Sequence, residues 1–170
     1  SRNPQNKPGH WEEHILHTSV GTENPLFVDV DGDGRQDIIS NDSNMKQVIW
    51  LKKTTKKGDT NWTKHIISED PTIATHQYTH GLGFGDMNND GIKDVLSTKG
   101  WWESPKDPKQ PNWKFHPVNF GQDCAEMIVY DVNQDGLVDV ISSSAHKYGI
   151  WWHEQGRDSQ GNETWTEHEI

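Results

Sequence analysis

Apolar residues in this chain come in short bursts: Leu26-Phe27-Val28, Ile38-Ile39, Val48-Ile49-Trp50, Trp101-Trp102, Ile128-Val129-Tyr130, Val140-Ile141 and Ile150-Trp151-Trp152. They are rich in β-branched and aromatic residues, which fit a pleated, half-buried surface, so each burst predicts a strand. The bursts recur in phase. A W-x-x-H pattern at Trp11-His14, Trp62-His65, Trp113-His116 and Trp165-His168 repeats at spacings of 51, 51 and 52 residues. Strand-built units repeating at roughly 40–50 residues are the mark of propeller blades.

Each unit parses into four strands, A to D. The first uses residues 25–30, 37–41, 47–51 and 62–67. The second uses 81–87, 94–98, 100–103 and 113–118, and the third 126–132, 139–143, 149–153 and 165–170. The expected architecture is all-β: one propeller segment over residues 1–170, with blades at 24–67, 79–118 and 125–170. Gly81, Gly83 and Gly85 suit a crowded inner strand, where backbones approach closely. Residues 11–16 match strand D, so they are expected to form the outer strand of a closing blade. Propellers close with four to eight blades, so the remaining blades are expected from a further part of the chain or from another chain.

Between strands A and B lies a loop that occurs three times. It runs Asp29 to Asp37, Asp86 to Asp94 and Asp131 to Asp139. Side-chain oxygens stand at positions 1, 3, 5 and 9: Asp29, Asp31, Asp33, Asp37; then Asp86, Asn88, Asp90, Asp94; then Asp131, Asn133, Asp135, Asp139. Glycine is always sixth, at Gly34, Gly91 and Gly136. Alternate oxygens, a sharp glycine turn and a backbone carbonyl at position 7 are how a short chain wraps a hard cation, and calcium fits better than magnesium. An EF-hand is excluded, because position 12 is Ser40, Ser97 or Ser142 rather than glutamate and the flanks are strands. The expectation is three Ca²⁺ sites, each a clip joining two strands.

The stretch Phe84-Gly85-Asp86-Met87-Asn88-Asn89-Asp90-Gly91-Ile92-Lys93-Asp94-Val95-Leu96 resembles the FG-GAP repeat, also called the VCBS repeat, of integrin-α-like β-propellers. The resemblance extends over three units. It implies a metal between strands A and B, held by the twelve clip residues named above, and part of a larger closed propeller. It implies little about function, since such propellers serve adhesion, sugar binding and catalysis alike. Thr79-His80-Gly81 and the stretch from Ser142 to Glu154 also resemble the propeller part of bacterial aldos-2-ulose dehydratase-like proteins.

Composition changes this picture in three places. Only 30% of residues are hydrophobic and mean hydropathy is −0.97, but nine tryptophans argue for a packed core rather than disorder. The net charge of −10 is largely the clips, which hold ten of the 26 acidic residues. With no basic patch, nucleic-acid binding is not expected, and Lys52-Lys53-Thr54-Thr55-Lys56-Lys57 reads as a solvated hairpin tip. The single cysteine, Cys124, excludes an intrachain disulfide. No apolar run is long enough to span a membrane. Exposed calcium clips suit a secreted or periplasmic setting.

Repetition separates scaffold from chemistry. His14, His65, His116 and His168 recur in every unit and are read as packing residues. His76, His80, Cys124, Glu126, His146 and His153 do not recur. Strand order puts most of them on the D-to-A and B-to-C loops, on the rim opposite the clips. Cys124 reads as a small buried side chain, and Tyr78, Tyr148, Trp101 or Trp102 could offer a sugar-stacking face. Two function readings follow. One is a calcium-stabilised segment binding carbohydrate or a protein partner through this loop face. The other is part of a sugar lyase or dehydratase using His80, Glu126 and His146, with a transition metal on the loop face. The residues leave open whether the chain is an enzyme.

Overall fold

Twelve strands follow one another with no helix among the described residues. The computed structural model describes residues 13–54, 56 and 59–170. The first blade is β1 (Leu26–Val28), β2 (Asp37–Asp42), β3 (Gln47–Lys53) and β4 (Trp62–Ser68). The second is β5 (Leu82–Gly85), β6 (Asp94–Ser97), β7 (Gly100–Glu103) and β8 (Lys114–Pro117). The third is β9 (Cys124–Tyr130), β10 (Asp139–Ser144), β11 (Ile150–Arg157) and β12 (Glu163–Glu169). Within each blade the strands pair antiparallel in chain order. This is an all-β, antiparallel-rich architecture of propeller-type blades.

Inner strands of successive blades lie side by side. β5 pairs with β9 in parallel at Gly83 and Met127, and Thr22 bridges Thr79 in the same sense between the first two blades. Glycine permits the closer approach. A Cβ on Gly83 would stand 2.9 Å from that of Met127, and one on Gly85 would stand 2.4 Å from that of Val129.

The cores are layers between blades rather than within them. One combines Ile39, Val48, Trp50 and Ile67 of the first blade with Leu82, Val95, Trp102 and Trp113 of the second. The other combines Met87, Leu96 and Trp101 with Met127 and Val140 of the third, together with Phe120 and Cys124. Adjacent residues of a strand point to opposite faces, so Trp101 and Trp102 serve different layers. Blade contacts are also polar: the Trp113 amide donates to Ile67 O (2.8 Å), and Asn112 Oδ1 accepts from the Glu69 amide (3.1 Å).

Differences from the expected boundaries have local causes. The β11–β12 hairpin runs further than expected because its turn is self-supported, with Asp158 Oδ1 accepting the Gln160 and Asn162 amides at 2.8 Å each. β9 begins at Cys124, so Cys124 and Glu126 sit on a strand, not in a loop. Of the expected leading strand, residues 13–16 carry no strand pairing, and Trp11 lies outside the described residues.

The glycine approach is testable. Gly85→Ala should cost about 1–3 kcal/mol through overpacking, measured by denaturant unfolding. Combining it with Val129→Gly, which removes the opposing Cβ, should recover part of the loss, with a coupling of at least about 0.5 kcal/mol; strictly additive effects would contradict the crowding.

Candidate functional site

The three A-to-B loops are wired alike. The position 1 carboxylate accepts the amides of positions 5 and 6: Asp29 from Asp33 (3.1 Å) and Gly34 (2.8 Å), Asp86 from Asp90 (3.1 Å) and Gly91 (2.8 Å), and Asp131 from Asp135 (3.2 Å) and Gly136 (3.0 Å). Position 5 in turn accepts the amide of position 7, from Arg35, Ile92 and Leu137. Positions 4 and 6 have positive φ throughout, at Gly32, Asn89 and Gln134 and at Gly34, Gly91 and Gly136. A Cβ on the position 6 glycines would meet nothing within 4 Å, so backbone conformation rather than space selects glycine there.

Position 9 ties the loop to the sheet. Asp37, Asp94 and Asp139 are wholly buried. Each accepts the position 2 amide, from Val30 (3.3 Å), Met87 (2.9 Å) or Val132 (3.0 Å). Its other oxygen accepts an amide at the neighbouring third strand of the blade, from Lys53 (3.1 Å), Ser104 (2.8 Å) or Gln155 (2.9 Å). Burial raises the Asp37 carboxyl above the usual carboxylate range and pushes that of Asp94 up to about 7, with these amides opposing it. Clips two and three touch: Asn89 Nδ2 donates to Gly136 O (2.9 Å).

The clips differ at one pair of positions. Asp31 at position 3 of the first clip is met by Lys52, whose ammonium donates to Asp31 Oδ2 and, at 2.7 Å, to Asp33 Oδ2. This corrects the reading of Lys52 as part of a solvated tip: β3 carries it back over the clip. In the other clips position 3 is asparagine, and the strand residue corresponding to Lys52 is Glu103 or Glu154. Asn133 Nδ2 donates to Glu154 Oε1 (3.0 Å), whereas Glu103 turns to His116 (2.7 Å) and Lys114 (3.1 Å). Oxygens of Asp29, Asp31 and Asp37 lie within 4.8 Å of one another. Asp31 Oδ1 is buried with no hydrogen-bond partner.

On the opposite rim, two of the unrepeated histidines meet. His146 Nε2 lies 2.9 Å from His80 Nε2, with the rings T-shaped at 4.6 Å between centroids. The carboxylate paired with His80 is Glu23 (3.6 Å). Glu126 is exposed on β9, and no hydrogen bond or ion pair joins it to either imidazole among the described residues. His76 contributes its backbone carbonyl, which accepts from Asn41 Nδ2 (2.9 Å). Burial pushes the Cys124 thiol up to about 12, as suits an inert core side chain.

Two polar residues hold this rim together. Asn41 accepts the Gly21 amide (2.7 Å) and donates to Ala74 O (3.0 Å) and Thr79 Oγ1 (3.2 Å). Asn24 Nδ2 spans to Ala125 O of the third blade (2.8 Å). Strand order already puts Asn24 and Asn41 at the loop-face places of the first unit; their bonding partners come only from the three-dimensional arrangement. An open groove of about 430 Å³ lies on the other rim, between the first two clips and Pro105–Pro108.

The recurring histidines stack on strand-C tryptophans: His65 on Trp50 (4.5 Å), His116 on Trp101 (4.0 Å, 5° between planes) and His168 on Trp152 (4.5 Å). Residues 29–97 match the family model of the FG-GAP-like repeat. The match covers less than half of the chain and marks this segment as similar to that repeat. It runs from the first clip through the second clip and β6. No curated protein and no solved structure matches the chain.

His153 provides a pH test of this site's support. It is buried against Ser142 Oγ (3.0 Å), and burial holds its imidazole below the ordinary histidine value, with Glu167 opposing. The unfolded chain therefore takes up the proton first, and stability falls as pH drops below about 6.5. His153→Gln should flatten the loss between about pH 7 and pH 5 in denaturant midpoints; an unchanged slope would assign the loss to other groups.

Proposed function

We propose that this chain is a calcium-clipped β-propeller segment of a secreted protein that presents a ligand-binding loop face on the rim opposite its ions. The observation that carries the reading is the common wiring of the three clips, with position 1, 5 and 9 carboxylates held in the same way each time. The donor set is all hard oxygen, which suits calcium. The unpartnered, buried Asp31 oxygen and the buried position 9 carboxylates are groups that a cation would satisfy. Held by these residues, calcium would supply charge compensation and cross-linking, not chemistry.

Chelator should lower the melting temperature by about 4 °C or more, since an ion bound only to the folded state stabilises it. Asp90→Ala and Asp135→Ala should each remove one ion. A melting temperature indifferent to chelator would sink the calcium reading.

The loop face supports a second reading, in which His80 and His146 act on a ligand, with Glu23 as the accompanying acid. Two imidazole nitrogens on one zinc, each at about 2.0–2.1 Å, would lie roughly 3.3 Å apart at a tetrahedral angle, close to the observed 2.9 Å. A His pair of this kind also fits proton exchange with a sugar or other polyhydroxylated ligand. In equilibrium dialysis against zinc, one equivalent should bind and be lost in His80→Ala, while Asp135→Ala retains it. Zinc uptake unaffected by His80→Ala would leave the binding-module reading alone.

The partners include further blades. Trp50 and Trp101 are 0% and 1% exposed because the next blade covers them. Their counterpart Trp152 is only half-buried, and Ile128, Tyr130 and Ile150 of the same blade are exposed. That apolar face suits another blade, from the same or another chain.

A further inference from the structure

We infer that Lys52 is a tethered cation that offsets one of the four carboxylate charges of the first clip, so that the three clips are unequal and a divalent ion enters the first only by displacing or crowding the ammonium. The inference rests on the cation reading of the clips and adds a rank order that the repeated motif does not contain.

Three observations carry it. The Lys52 ammonium donates to Asp31 and to Asp33, two of the four side chains that would face an ion. The Lys52 side chain is only 16% exposed and that of Asp31 only 10%, so the pair is shielded from water and its attraction is weakly screened. At the corresponding strand position the other blades carry acids, Glu103 and Glu154, and at loop position 3 they carry asparagine. The exchange is reciprocal. Where the loop gains a charge, as Asp31, the strand supplies a cation; where the loop has an amide, as Asn133, the strand supplies a carboxylate that accepts from it. Each arrangement is self-consistent, but the local charge left for a mobile cation differs.

The physical consequence is competition. A divalent ion in the first clip must either break two charge-assisted hydrogen bonds or sit beside a fixed positive charge, and both oppose binding. The second and third clips have no such competitor among the described residues. They are also joined through Asn89 and Gly136 O. Ion binding is therefore strongest and linked in clips two and three, while the first blade keeps its loop ordered without an ion.

Calcium titration calorimetry on the 170-residue chain tests this. The wild type should show two tight sites and a third weaker by about tenfold or more. Lys52→Met should tighten the weak site by a similar factor, and Lys52→Gln serves as a second variant should the first fold poorly. Asp33→Ala should remove the weak site and leave the two tight ones. In excess chelator, Lys52→Met should melt below the wild type, because the emptied clip has lost its internal cation. Three equal sites in the wild type, or an isotherm unchanged by both Lys52 variants, would overturn the inference while leaving the calcium reading intact. No calcium uptake by any variant would remove that reading, and this inference with it.

Discussion

A carboxylate with no access to water stands at the end of every clip. Asp37, Asp94 and Asp139 each join the loop to the neighbouring third strand, accepting one backbone amide from either, and each is wholly buried. Burying a charge is costly unless it is paired and hydrogen-bonded. Two amide bonds meet part of that cost. The clip is therefore not an ornament on a stable sheet. It is the means by which a blade with short strands and few apolar residues keeps its A-to-B turn in one geometry. The shared left-handed conformations at positions 4 and 6 follow from the same constraint.

Once the clips define one rim, the rest of the molecule divides accordingly. Antiparallel pairing sends the D-to-A and B-to-C connections to the other rim, where His80 and His146 meet from different blades. Between the rims, the inner strands pack closely enough that Gly83 and Gly85 leave no room for a side chain. The histidine–tryptophan stacks lie further out and stiffen each blade at strand C. An ion on one rim and a ligand on the other would thus act through a shared rigid wedge. Positioning a site on loops that rise from such a scaffold is a common use of rigid folds.

Much of this was legible in the residues. Period, strand order and the clip positions follow from hydrophobic bursts and from the spacing of aspartate and glycine, because both are local properties of the chain. The rim assignment of His80 and His146 was also within reach, since strand order alone determines which loops share a rim. Glu126 and Lys52 show where local reasoning stops. Glu126 stands at the first position of its expected strand yet is grouped there with the loop residues; it lies within β9, and the acid beside His80 is Glu23, more than fifty residues earlier in the chain. Lys52 looked like one of several solvated lysines, because its partner lies across the hairpin at Asp31. A comparison of blades at equal strand register, setting Lys52 against Glu103 and Glu154, holds the missing signal.

That comparison bears on how repeats acquire individuality. Residues present in all three units maintain the blade: the position 1 and 9 aspartates, the sixth glycine, and the histidine stacked on tryptophan. Selection for foldability acts on these together, because each blade packs only on its neighbours. Differences between units are free of that requirement, provided each change is compensated within its own blade. Asp31 with Lys52 is one such compensated change, and Asn133 with Glu154 is the other form. The aspartate alone would add an unrelieved negative charge to an already acidic clip, and the lysine alone would face an amide. Because neither half is favourable without the other, the pair behaves as one unit of electrostatics, which is why the first clip keeps the fold of its neighbours while carrying a different charge arrangement.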